Sequence, residues 1–175
     1  MLGKPIRSAS HWPALFVLVA ATAPCFAGSE QGQGALHFFE GTTESASTVK
    51  VLMKKPYRSH WIGTGIIEPD GSLHLTQHVT DEGAPPKTRR WVIRQIGPHH
   101  FSGTMSEASG PVDVEEISGK YRFRFNIKGH LSAEEWLVPD PGGRSATTHI
   151  SVRKFGFVVA AAEGIIRKVE EQGRD

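Results

Sequence analysis

The chain has 175 residues, with 20 lysines and arginines against 18 aspartates and glutamates. This balance argues against a nucleic-acid partner, because nucleic-acid-binding domains usually carry a clustered basic face. The length is enough for one domain with a hydrophobic core of its own.

The first 27 residues have the pattern of a cleavable secretory signal peptide. Lys4 and Arg7 precede an apolar run over 13–23, and Ala27 supplies the small residue before the cut. The apolar run is shorter than the roughly 20 residues that span a bilayer. We therefore expect a signal peptide over 1–27 and a mature domain over 28–175, located in the periplasm or secreted. A retained N-terminal membrane anchor is the alternative.

Cys25 raises the question of lipid attachment. A lipid-modified cysteine follows a small residue, whereas Pro24 precedes this one. Cleavage after Ala27 is therefore favoured over lipoprotein anchoring at Cys25. It leaves a mature chain without cysteine, which tolerates an oxidising compartment without using disulfides.

The mature chain is predicted to be all-β after a short N-terminal helical turn, or a plug against the core, over 36–40, which Gly41 ends. Beyond that turn, apolar and polar residues alternate with period two, as they do in half-buried strands. The clearest strand covers 120–131, where four apolar residues share one face: Tyr121, Phe123, Phe125 and Ile127. Trp91 and Ile93 alternate in the same way with Arg90 and Arg94.

Turn signals separate these strands at short intervals. Pro69-Asp70-Gly71 predicts a hairpin between 61–68 and 72–80. Many short strands with frequent turns favour a single antiparallel barrel or sandwich. The segment 157–171 fits either a helix, on its alanine content, or a last strand that closes a barrel.

No catalytic, metal or cofactor motif stands out. His74 and His78 are four residues apart, which on a strand is too far for one metal ion. The adjacent acids Glu115-Glu116 and Glu134-Glu135 point to opposite faces of their strands, so neither pair forms a carboxylate dyad. Should the protein be an enzyme acting on an envelope lipid, the residues to check are His100, His149 and Glu116.

Five basic residues fall on the polar faces of two predicted strands: Arg90, Arg94, Arg122, Arg124 and Lys128. A solvated outer surface is the favoured interpretation, because strand exteriors are routinely charged. A membrane-surface contact with anionic lipid head groups is the alternative.

Four stretches in order carry a family resemblance: 36–43 (LHFFEGTT), 89–94 (RRWVIR), 100–103 (HFSG) and 153–157 (RKFGF). They resemble the bacterial envelope family known as domain of unknown function 3833, over nearly all of the mature chain. The resemblance implies a small lipocalin-like barrel, often on a lipoprotein, whose last strand closes it. It implies no catalytic residue, and the family's frequent proximity to genes of lipid-modifying enzymes hints at lipid handling.

The sequence departs from that family's pattern in three places. Cys25 is poorly placed for lipid attachment, Thr148-His149 stands where the family tends to have Asn-Arg, and Ala160-Ala161 replaces a Gly-acid pair. These departures leave membrane tethering, and any role of those side chains, without support from the resemblance.

The leading functional hypothesis is a binder or carrier of a small apolar ligand or lipid inside the barrel. The predicted inward, ligand-contacting residues are Trp91, Ile93, Tyr121, Phe123, Phe125, Ile127 and Trp136. The same residues can instead fill the barrel as core. A structural or interaction protein of the cell envelope, acting through its outer face and the loop 81–87, is the second hypothesis. An enzyme is the third.

Overall fold

The computed structural model describes residues 34–169 as one short helix followed by strands. The elements in chain order are α1 (Gly34–Phe38), β1 (Gly41–Val51), β2 (Tyr57–Ile67), β3 (Leu73–Asp81), β4 (Lys87–Gly97), β5 (His100–Met105), β6 (Val112–Ile117), β7 (Lys120–Ile127), β8 (Leu131–Pro139), β9 (Ser145–Lys154) and β10 (Phe157–Lys168). No helix within 34–169 is long and apolar enough to cross a membrane. The predicted signal peptide over 1–27 lies outside the described residues.

Each strand pairs antiparallel with its sequence neighbours, and β10 returns to pair with β1, so the sheet is a closed barrel. The predicted fold, an antiparallel all-β barrel after a short helical turn, is confirmed. The predicted hairpin at 69–71 joins β2 to β3. Gly71 adopts a φ of 79° there and donates its amide to the Glu68 carbonyl at 2.8 Å.

The C-terminal segment is a strand and not a helix. β10 is hydrogen-bonded on both edges, with Ala162 opposite Val49 of β1 and Ile150 of β9. At Gly164 a Cβ would lie 2.6 Å from the Ala46 carbonyl oxygen, so β1 approaches closely there. Pairing along both edges outweighs the helix propensity of the alanines.

Dense packing fills the end of the barrel nearest α1. Phe101, Leu137 and Ala146 are completely enclosed there. Three side chains of the helical segment join the same core: Leu36, Phe38 and Phe39. The helical turn therefore plugs this end, which we call the closed end.

The opposite end, which we call the mouth, carries the loops 52–56, 82–86, 106–111, 128–130 and 155–156. Between the two ends, Trp91 donates its indole N–H to the Gln77 side-chain oxygen at 2.9 Å. Its ring meets Phe123 and Phe125 edge to face, at centroid distances of 6.3 and 5.8 Å. This aromatic contact fixes β4 against β7 across the interior.

Substitution of Gly65 by alanine tests how the plug is seated. Gly65 pairs with Gly41, and a Cβ on it would lie 2.0 Å from the Phe39 carbonyl oxygen. We expect Gly65→Ala to lower the free energy of unfolding by about 1–3 kcal/mol, because backbone must move to admit the methyl group. Urea denaturation measures this.

Gly142→Ala is the matched control, since a Cβ at Gly142 meets nothing within 4 Å. Its expected change is within about 0.5 kcal/mol. Equal destabilisation by the two substitutions would contradict the close seating of the plug.

Candidate functional site

The barrel interior contains the aromatic and aliphatic side chains that the sequence pattern places there. Six of the predicted residues point inward: Trp91, Ile93, Tyr121, Phe123, Phe125 and Ile127. Tyr121 differs from the others because it lies at the closed end, where its hydroxyl would be 3.0 Å from a Cβ on Gly34. The other five line the interior cavity.

The prediction that Trp136 points inward is wrong. Trp136 lies on the outer face of β8, half-buried beneath the Arg122 guanidinium, which is 5.6 Å from the ring centroid. Along β8 the inward positions are Ala133, Glu135 and Leu137, and strand geometry sends the residue between them outward. Its aromatic character favoured burial, but its position in the alternation decides the face.

The cavity consists of two chambers that meet inside the barrel. An inner chamber of about 60 Å³ lies toward the plug, and a mouth chamber of about 200 Å³ lies toward the loops. Five residues line both and form what we call the belt: Ser47, Trp61, Arg89, Glu135 and Ile150. Since about 10–15 Å³ holds a water molecule, the mouth half of the barrel is not filled by its own core.

The wall of the mouth chamber is largely apolar. Its apolar and aromatic side chains come from eight strands: Val49, Tyr57, Trp61, Val79, Met105, Phe125, Ile127, Ala133, Ile150, Val152, Ala160, Ala161 and Ala162. The alanines of β10 leave the space open where larger side chains would fill it. This composition is typical of sites for apolar small molecules.

One side of the mouth chamber carries an ionic cluster, the mouth cluster, made of Asp81, Lys87, Arg89 and Glu107. The Lys87 ammonium lies 3.4 Å from Asp81 and 3.3 Å from Glu107, and Arg89 donates its Nε–H to Glu107 at 2.6 Å. Burial raises the pKa of the Glu107 carboxyl, but the charges of Arg89 and Lys87 outweigh it, so the pKa lies below that of an ordinary glutamate. Two cations and two anions leave the cluster neutral.

Glu135 differs from the mouth cluster because, among the residues that the structure describes, no cation lies within ion-pair distance of its carboxyl. It accepts a hydrogen bond from the Thr148 hydroxyl at 2.7 Å. Burial inside the barrel raises the pKa of its carboxyl, while Thr148 and the charge of Arg89 act in the opposite direction. A carboxyl with a raised pKa is protonated more readily than one on the surface, and it can then donate a hydrogen bond to a ligand.

Sequence reasoning missed Glu135 and Arg89 as interior residues. The signal for Glu135 was present, since Ala133 and Leu137 flank it at spacing two. Arg89 likewise precedes Trp91 at spacing two, on the inward side of β4. Because both side chains are charged, residue type alone predicts that they face solvent.

The residues considered for catalysis do not come together in the cavity. His100 contacts Glu115 at 3.3 Å and His149 contacts Glu163 at 3.5 Å, both with exposed imidazoles. Glu116 contacts His99 at 3.1 Å. None of the three lines either chamber. Within 34–169, no group of three or more histidines, cysteines or acids is arranged to hold a metal ion.

The predicted basic face is divided between distant strands. β5 and β6 separate β4, with Arg90 and Arg94, from β7. On β7, Arg122 is paired with Glu115, and Arg124 lies 2.6 Å from Asp113. These ion pairs support the interpretation of a solvated outer wall.

No sequence profile of a known family matches the chain, and no curated protein matches it. Solved structures share its fold. The S-type phycobiliprotein lyase CPES of Guillardia theta aligns with a TM-score of 0.64 and 7% identity, over 80% of this chain and 97% of that one. A protein of unknown function from the DUF3598 family of Nostoc punctiforme aligns with a TM-score of 0.57 and 11% identity, over 77% of this chain and 49% of that one. The barrel is therefore lipocalin-like in fold.

Substitution of Glu135 by glutamine tests the buried carboxyl. Because its pKa is raised on folding, the folded protein retains a proton that the unfolded chain releases, and stability falls as pH rises through the raised pKa. Glutamine accepts the Thr148 hydrogen bond without ionising. We expect Glu135→Gln to match the wild type near pH 4 and to melt higher at pH 8, by roughly 2–4 °C per 1 kcal/mol of penalty removed.

Thermal unfolding followed by circular dichroism at both pH values measures the difference. Glu134→Gln, on the outer face of the same strand, is the control and should show no gain that depends on pH. A gain for Glu135→Gln that is equal at pH 4 and pH 8 would contradict the buried position of the carboxyl.

Proposed function

We propose that the protein binds and carries a small apolar or amphipathic ligand, such as a lipid, in the mouth chamber. The observation that supports this proposal most strongly is a cavity of about 200 Å³ inside a closed barrel, with an apolar wall and a localised polar cluster. Closed antiparallel barrels of this size commonly hold one small ligand. The ligand's apolar body would lie against the β7–β10 wall.

The polar groups of the site indicate how the ligand would be oriented. The mouth cluster lies on β3, β4 and the loop after β5, across the chamber from the alanines of β10. A polar head would contact Lys87, Arg89 or Glu107 there, while Glu135 offers a hydrogen bond deeper in the barrel. Drug-sized ligands occupy pockets of roughly 300–1,000 Å³, so the smaller chamber favours a single acyl chain or a small ring.

The fold comparison supports a ligand-holding barrel and nothing finer. The Guillardia protein is a phycobiliprotein lyase by name, but 7% identity gives no reason to place a lyase reaction here. The resemblance to domain of unknown function 3833 supports lipid handling in a bacterial envelope. The signal-like N-terminus supports export to the periplasm, where a lipid carrier would work.

Filling the mouth chamber tests the proposal. Ala162 points into it between Val49 and Ile150. We expect wild-type protein to bind N-phenyl-1-naphthylamine with a rise in dye fluorescence, and palmitate to displace the dye. Ala162→Phe should weaken dye binding at least tenfold, because its ring takes the ligand's volume. Fluorescence titration measures both.

Ala46→Phe is the matched control, since Ala46 is exposed on the outer face of β1. It should bind the dye as the wild type does, and melting temperatures should show that both variants fold. The proposal fails if wild type takes up neither dye nor palmitate, or if folded Ala162→Phe binds the dye unchanged.

A further inference from the structure

The mouth carries large apolar side chains that contribute little to the core. In the β1–β2 loop, Leu52 is 66% and Met53 is 97% exposed. At the β9–β10 turn, Phe155 is 77%, Phe157 is 78% and Val158 is 52% exposed. We call these five residues the apolar rim. Such a concentration of exposed apolar groups marks an interaction site more often than scattered single residues do.

The two loops of the apolar rim are neighbours. The Leu52 amide donates to the Val159 carbonyl at 2.9 Å, which ties the β1–β2 loop to β10. In the barrel, β2, β1, β10 and β9 are consecutive. The exposed side chains therefore form one continuous arc around part of the mouth.

The backbone at two rim positions does not favour the residues found there. Met53 has a φ of 64° and Phe155 has a φ of 50°. Glycine and asparagine adopt this left-handed conformation most readily, and large apolar side chains rarely do. Core packing therefore supplies no reason for either side chain, whereas contact with an external apolar phase does.

Lysines flank the apolar rim without any acid among them. Lys54 and Lys55 follow Met53, Lys154 precedes Phe155, and Lys128 lies in the adjacent β7–β8 loop. The loops 52–56, 128–130 and 155–156 contain no aspartate or glutamate. The acids nearest the mouth are Asp81, Glu82 and Glu107, at the β3–β4 and β5–β6 loops. Of these, Glu82 borders the rim, since its carboxylate accepts a hydrogen bond from the Arg58 amide of β2 at 3.1 Å.

One cation and one aromatic ring contact Phe155. The Lys154 ammonium lies 5.7 Å from the Phe155 ring centroid, and the His130 imidazole stacks on the ring at 6.5 Å. Apolar tips and positive charge thus share one protruding surface. That combination is typical of segments that lie in the interface of an anionic lipid bilayer.

We propose that the apolar rim docks the barrel, mouth first, on the surface of an anionic lipid bilayer. The rim side chains insert at the level of the head groups, and Lys54, Lys55, Lys128 and Lys154 contact lipid anions. A second copy of this chain fits the surface less well, because a two-fold contact between rims would bring like-charged lysines together. Docking does not depend on ligand binding in the cavity, but it would place the opening of the mouth chamber at the membrane surface.

Vesicle co-sedimentation of protein expressed from the full-length sequence tests the docking. Wild type should sediment with vesicles of phosphatidylglycerol and phosphatidylcholine in equal parts, and much less with phosphatidylcholine alone. Binding should decrease severalfold as the salt concentration rises from about 0.05 M to about 0.5 M, because salt screens the lysines. The double variant Met53→Asn/Phe155→Asn should lose about tenfold or more of its vesicle partition coefficient.

Asparagine suits both left-handed positions, so this variant should melt at or above the wild-type temperature. Ile66→Thr is the matched control, since Ile66 is 57% exposed on the outer wall near the closed end. It removes an exposed apolar group away from the mouth and should bind vesicles unchanged. Any contribution of residues 1–33 is common to all variants.

Three results would overturn the proposal. The first is that wild type does not bind the anionic vesicles, and the second is that the double asparagine variant binds them as tightly as wild type. The third is that wild type is a dimer in sedimentation velocity and the double variant is a monomer, while vesicle binding is unaltered. Failure of ligand binding in the cavity would show in the dye titration, which contains no vesicles, so the two proposals fail separately.

Discussion

Pairing of β10 with β1 is the constraint on which the rest of the structure depends. The contact is close enough that Gly164 has no room for a Cβ beside Ala46 and Ser47. Because this seam closes the sheet, its inward face becomes an interior, and Arg89, Glu107 and Glu135 line a cavity inside the barrel. On an open sheet the same side chains would face solvent, and the pKa of Glu135 would not be raised by burial.

The two ends of the closed barrel differ in how tightly they are packed. Large side chains and the helical plug fill the closed end, which supplies the core's stability. Small residues of β10 and charged residues of β3 and β4 occupy the mouth end, where packing is incomplete. The close-packed core and the open chamber thus lie at different ends of one barrel, which suits the proposed ligand binding because a well-packed scaffold holds the lining residues in place.

Much of this architecture follows from local sequence patterns. The alternation of apolar and polar residues along 120–131 and around Trp91 correctly predicts that six side chains point inward, because successive residues of a pleated strand face opposite sides of the sheet. The same rule applied to β8 places Glu135 inside and Trp136 outside, whereas residue type alone suggests the reverse. Aromatic rings have an apolar body that also packs well on an outer wall, as Trp136 does against Arg122.

Other features depend on partners that are remote in sequence. The neutralisation of Arg122 and Arg124 requires acids on β6, and the fate of the C-terminal segment depends on β1, more than 100 residues earlier. No local pattern contains these contacts. The resemblance to domain of unknown function 3833 and the export of the chain stay predictions.

A nuclear magnetic resonance titration tests the central claim most directly, since it reports where a ligand binds. Amide and methyl resonances of the protein would be followed as palmitate is added. The account predicts saturable shifts at Val49, Phe125, Val152 and Ala162, with little change at Leu137 and Ala146 of the closed end. Shifts confined to the outer wall, or none at saturating palmitate, would contradict a ligand-binding mouth chamber.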